Sequence, residues 1–130
     1  MRKVFFLIIL MTCLAMLTSC KMKSLVGKAF VFESFSFIGG ENFKDIDPDK
    51  VKELENNYKT IVFSFEETTV NYHIFIGGET YDEVYIYTFI DGKLKIEDNS
   101  TVSYYIKNKK LYAEGNLDSF KVRLIFKQSK

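Results

Sequence analysis

The chain has 130 residues, with 18 Lys and Arg against 17 Asp and Glu, a formal charge of +1. So even a balance provides no basic field for nucleic acid and no long-range steering of a charged partner. With 47% apolar residues, 16% aromatics and one proline, it has the material for one packed core and lacks the bias of a disordered chain.

The first 20 residues stand apart. Arg2 and Lys3 precede a 14-residue apolar run, Val4 to Leu17, that only Thr12 interrupts. Such a run is shorter than the about 20 residues of a spanning helix and suits the apolar region of a secretory signal peptide. Thr18, Ser19 and Cys20 follow it. Leu17-Thr18-Ser19-Cys20 resembles the lipobox of bacterial lipoproteins, in which an aliphatic and two small residues precede the modified cysteine. The resemblance implies that residues 1–19 are cleaved, that the Cys20 thiol carries the lipid, and that residues 20–26 form a lipidated tether. The protein is then exported and anchored to the bacterial cell membrane by more than one acyl chain, because a single chain holds only marginally. In Gram-negative lipoproteins an aspartate after the cysteine often retains the protein at the inner membrane. Lys21 stands there, so in such a cell the resemblance implies the outer membrane.

Without Arg2 and Lys3 the basic total falls to 16 against 17 acids. Cys13 leaves with the signal and Cys20 is taken by lipid, so no cysteine remains for a disulfide. The domain at 27–130 must therefore be held by its core.

Gly27 opens that domain. Residues 28–38 carry Phe30, Phe32, Phe35 and Phe37 and predict a strand, although its apolar residues fall on both parities. Gly39-Gly40 ends it. Asp47-Pro48-Asp49 then has the form of a helix start, with Asp47 as N-cap and Pro48 at the first helical position. Val51, Leu54 and Tyr58 share one face, so a helix is expected over 48–57, lying across one end of the sheet. Strands are expected next at 59–66, with Ile61, Phe63 and Phe65 on one face, and at 68–76, with Val70, Tyr72, Ile74 and Ile76 together. Strands at 81–90, 93–97, 101–107, 110–114 and 120–127 complete the series. In the last, Phe120, Val122, Leu124 and Phe126 oppose Lys121, Arg123 and Lys127. Gly77-Gly78-Glu79, Asp91-Gly92, Asp98-Asn99 and Asn108-Lys109 are turn signals, and 115–119 reads as a loop.

Strands joined by short connections pair as antiparallel neighbours. The expected fold is all-β: an eight-stranded antiparallel meander that closes first strand on last, with one short helix after the first strand. Closure would remove its edges. Gly27 with Phe30, the helix after the first strand, and the meander ending at Phe126 resemble small bacterial lipocalin-like lipoproteins. Ala29 stands where that family carries a tryptophan. The resemblance implies a monomeric barrel that binds a small apolar ligand. The alternative is an interaction or inhibitor module of the cell envelope that uses an outer aromatic surface, its interior filled with side chains.

Little points to catalysis, and no enzyme is expected. The one histidine, His73, lies mid-strand without a nucleophile motif beside it, and reads as a residue of the outer sheet face or one packed beside an aromatic. Asp45, Asp47 and Asp49 echo a calcium loop, but Lys50 and Asn56 occupy the positions that need Gly and Glu, and helix capping explains them. Glu66/Glu67 and Glu79/Asp82/Glu83 fall in expected turns, where acids are ordinarily solvated. No metal, cofactor or catalytic residue is therefore assigned. Phe-Ile-Gly-Gly-Glu occurs at 37–41 and again at 75–79, which is consistent with two strand ends at one rim. Tyr81, Tyr85, Tyr87, Tyr105 and Tyr112 alternate with aliphatic residues and are expected on the outer face.

Overall fold

The computed structural model describes residues 22–129; residues 1–19 of the expected signal and Cys20 lie outside the described residues. Eight strands run in chain order: β1 (Ala29–Gly39), β2 (Val62–Phe65), β3 (Thr69–Ile76), β4 (Glu79–Ile90), β5 (Lys93–Ile96), β6 (Ser103–Lys107), β7 (Lys110–Leu117) and β8 (Phe120–Gln128). Each pairs antiparallel with the next, and β1 pairs with β8, so the sheet is a closed barrel without a free edge. One helix, α1 (Pro48–Tyr58), follows β1 after a single 3-10 turn (Phe43–Asp45). Asp47 caps it by accepting from Asp49 N at 3.0 Å. Among the described residues no helix is long and apolar enough to cross a membrane.

Three tight turns set the register. Gly77-Gly78, Asp91-Gly92 and Asn108-Lys109 each hold both residues at positive φ, the requirement of a type I′ hairpin. The first places Ile76 opposite Glu79 and Tyr72 opposite Glu83; the second places Tyr87 opposite Ile96. The ambiguous parity of β1 also has a local cause. Register shifts at Phe32/Ser34 and Phe37/Gly39 insert extra residues. Phe32 faces Phe126, and after the first bulge Phe35 and Phe37 face Leu124 and Val122, so aromatics of both parities turn inward. β7 runs three residues beyond the expected end, through Gly115 to Leu117. Gly115 fits there because a Cβ would already meet Val102 at 3.3 Å.

The antiparallel order defines two ends. At the lower end β1 begins and β2 finishes; at the upper end lie α1, Gly40 and the Gly77-Gly78 turn. Both copies of Phe-Ile-Gly-Gly-Glu thus mark one rim. The lower end is sealed. Phe30, Phe65 and Tyr87 pack edge to face, with centroids 5.7 and 4.9 Å apart along the series. Leu25 is 1% exposed and belongs to this core. Its carbonyl accepts from Lys28 N, and Gly27 N donates to Phe65 O. The segment expected as tether therefore enters the fold before Gly27: Met22 also packs against the core, because the open bottom of the barrel needs an apolar plug.

At the upper end α1 packs on β1. Tyr58 stacks on Phe35 at 5.6 Å, and Phe37 meets Phe120 edge-on at 5.3 Å. The opposite side of that end is not filled.

Candidate functional site

The unfilled side is a cavity of about 250 Å³ inside the barrel mouth. Its deep wall is Phe63 on β2, a buried residue, with Ile96 and Val102 beside it. Tyr72 on β3, Tyr85 on β4 and Tyr104 on β6 supply three further rings. Tyr72 and Tyr104 meet Phe63 edge to face, at 66° and 74°, with centroids 5.3 and 6.1 Å apart. Glu83, Asp98 and Ser100 provide the polar part of the lining.

The loop from β5 to β6 builds one side of the mouth. Asp98 Oδ1 accepts from Ser100 N at 3.1 Å and from Ser100 Oγ at 2.7 Å, closing an Asx turn over Asn99, which sits at φ 58°. Asp98 Oδ2 accepts from Tyr104 OH at 2.8 Å. Burial alone would raise the Asp98 pKa, but the hydrogen bonds from Ser100 and Tyr104 outweigh it and hold the carboxyl below its usual value. The Tyr104 phenol is pushed up, first by burial and then by its bond to Asp98. Burial also raises Tyr72, with Tyr58 and Glu83 adding to it. Glu83 accepts from Tyr85 OH. Among the described residues neither Glu83 nor Asp98 has an ion-pair partner; the pairs that form are Lys50–Glu53, His73–Asp82, Lys110–Glu33 and Arg123–Glu114.

The expected turn cluster Glu79/Asp82/Glu83 is in fact part of β4, which starts at Glu79. Alternation splits it. Asp82 turns outward and pairs with His73, which lies on the outer face as expected, while Glu83 turns into the mouth. The tyrosines divide as well. Tyr105 and Tyr112 stack outside at 4.8 Å, with the Arg123 guanidinium 6.0 Å from the Tyr112 ring. Tyr85 and Tyr87 correct the expectation of an outer stripe: both turn inward, and Tyr87 is 7% exposed. Its hydroxyl donates to Glu66 O at 2.5 Å, so a ring with a polar tip is buried without an unmet bond. The aliphatic residues of β4 take the outside instead, with Val84 64%, Ile86 56% and Ile90 68% exposed.

Among the described residues no group of three or more His, Cys, Asp or Glu side chains could hold a metal ion. Cys20, the expected lipidation site, lies outside the described residues. Comparison with protein-family models, curated proteins and solved structures gives no match for the chain.

Proposed function

We propose that the chain is an exported bacterial lipoprotein, anchored through lipid on Cys20, whose barrel binds a small ligand at its upper mouth. The observation that carries this reading is the cavity between Phe63, Tyr72 and Tyr104 in a barrel whose other end is plugged. Apolar cavities of about 150 Å³ take up a molecule the size of benzene. A volume of about 250 Å³ suits a metabolite with an apolar body somewhat larger than one ring, and is too small for a long acyl chain.

The placement of residues 22–25 supports a consistent orientation. Leu25 plugs the lower end, five residues after Cys20, so a lipid there would hold the plugged end towards the membrane. The mouth would then open away from the bilayer and sample solutes of the surrounding compartment.

The described residues form a closed barrel with its own core, so the domain can be prepared from Lys21 onward. Native mass spectrometry of that domain, purified gently without detergent, is expected to show an added mass that disappears on denaturation. A clean monomer mass across preparations, from cells grown in rich and minimal medium, counts against the reading. Anchoring is tested separately: Cys20→Ala is expected to move the protein from the membrane to the soluble fraction, and an unchanged membrane fraction would refute the lipid.

A second reading, an envelope interaction module, draws on the outer aliphatic surface. Val84, Ile86 and Ile90 on β4 and Phe75 on β3 leave apolar area in water. This surface is aliphatic more than aromatic, unlike the tyrosine stripe expected. Retention of a partner protein in the absence of any small ligand would favour it.

A further inference from the structure

We infer that the ligand of the barrel mouth is a small organic cation, an ammonium or guanidinium compound whose charge sits between Glu83 and Asp98. This rests on the proposed ligand site and names the chemistry it takes.

Three features of the mouth lead to it. The first is sign. The cavity is lined by two carboxylates and by no Lys, Arg or His. Neither acid forms an ion pair with a described residue. A carboxylate has about four acceptor positions. Glu83 uses one for Tyr85, so capacity remains for an incoming donor. An anionic ligand would meet two like charges, and a wholly apolar one would strip water from them without compensation.

The second is the rings. A cation gains from the negative face of an aromatic within about 6 Å, and enclosure by several rings is how quaternary ammonium groups are recognised. Phe63, Tyr72, Tyr85 and Tyr104 put four rings on the cavity lining, with Tyr72 and Tyr104 at 66° and 74° to Phe63. The third is rigidity. Asp98 is held by three hydrogen bonds from Ser100 and Tyr104, and so presents its charge at a fixed place before a ligand arrives. Preorganisation of this kind saves the cost of ordering the site on binding.

The size of the cavity sets the limit. It suits an amine with a compact ring or branched head, not an extended polyamine lying wholly inside.

The test titrates the domain from Lys21 onward with three probes of similar size: benzylammonium chloride, benzyl alcohol and sodium phenylacetate. Backbone amide shifts of Tyr72, Val102 and Tyr104 report occupancy. The ammonium is expected to bind at least about tenfold more tightly than the alcohol, with the carboxylate weakest. Glu83→Gln lies on an exposed residue and leaves the fold intact; it is expected to weaken the ammonium by about three- to tenfold while leaving the alcohol unchanged. Equal binding of ammonium and alcohol, or an unchanged ratio in Glu83→Gln, overturns the cation and leaves the ligand cavity standing. Tighter binding of calcium chloride than of the ammonium salt would assign the acids to a metal and also overturn it. If none of the probes moves the three amides, the cation falls, and the ligand reading stands or falls with the native mass spectrum.

Discussion

The two ends of the barrel are built from the same residue types to opposite effect. Below, aromatic rings meet each other. Phe30, Phe65 and Tyr87 interlock, Leu25 closes the floor, and the one phenol in the set spends its hydroxyl on a backbone carbonyl. Above, on the β3–β6 side, Tyr85 and Tyr104 donate their hydroxyls to Glu83 and Asp98, and with Tyr72 they leave a space. A tyrosine whose hydroxyl finds a backbone acceptor completes a core. A tyrosine whose hydroxyl finds a carboxylate keeps charge, and with it water or a ligand, inside the barrel. Stability is therefore expected to reside below and recognition above.

The sharpest way to break that contrast is to remove a ring from the lower end. Phe65 is 1% exposed and touches both Phe30 and Tyr87. Phe65→Ala is expected to cost about 3–5 kcal/mol in urea unfolding, because it opens a cavity among packed rings. A loss below about 1 kcal/mol would show that the lower end is not the stabilising region. Next comes a backbone test on the rim. Gly40 has φ 111°, and a Cβ there would lie 2.8 Å from Ser119 O and 3.0 Å from Phe120 Cα. Gly40→Ala is expected to cost about 1–3 kcal/mol. The clash is with the start of β8, so the loss should appear in the β1–β8 seam by hydrogen exchange while the cavity mouth stays protected.

The Tyr104–Asp98 bond gives the upper end a pH signature. The Tyr104 pKa is raised in the fold by burial and by Asp98. The unfolded chain therefore loses that proton first, near pH 10, and stability that is complete below about pH 10 falls as the pH rises beyond it. For Asp98 the sign is reversed. Burial raises its pKa, but the Ser100 and Tyr104 bonds win, so its contribution is present above about pH 4 and lost as the pH falls further. Tyr104→Phe is expected to lower stability at pH 7 by about 1.5 kcal/mol, the low end for a hydrogen bond to a charged group. It should also flatten the alkaline limb of Tm against pH. Tyr72 and Tyr87 are raised too, burial leading in each, so the limb should shrink and not vanish. An unchanged limb would mean that the fold does not raise the Tyr104 phenol.

Most of the fold could be read from the chain, and the reason is the turns. Asp91-Gly92 and Asn108-Lys109 separate strands whose inward residues, such as Leu94, Ile96 and Leu111, sit where period two puts them. The helix from Pro48 and its Asp47 cap were equally plain. Two parts of the fold resisted. β1 hides its phase because bulges shift Phe35 and Phe37 onto the face of Phe30 and Phe32. β4 is apolar on both parities, so periodicity alone cannot choose between Tyr85/Tyr87 and Val84/Ile86; pairing across the barrel chooses the larger rings for the inside. The candidate site was hidden by one boundary. Starting β4 at Tyr81 leaves Glu83 near a turn, among solvated acids. A two-residue turn at Gly77-Gly78 starts it at Glu79 and sets Glu83 directly across from Tyr72. Asp98 carried no such signal, since its meeting with Tyr104 depends on how the β5–β6 loop folds back.

The smallest expected effect is the one that separates recognition from stability most cleanly. Glu83 is exposed, and its one described partner is the Tyr85 hydroxyl. An amide can accept that bond as the carboxylate does. Glu83→Gln should therefore leave urea stability within about 0.5 kcal/mol of the parent, as surface substitutions generally do. Val84→Thr, its outward neighbour on the same strand, keeps β-branching and should also change stability by no more than about 0.5 kcal/mol. The two lie on neighbouring residues of one strand but on opposite faces. If the mouth is the binding site, Glu83→Gln shifts ligand affinity and Val84→Thr does not. If Val84→Thr instead abolishes retention of a partner while Glu83→Gln is silent, the working surface is the outside of β4. The comparison to draw is then between the two faces of one strand, not the two ends of the barrel.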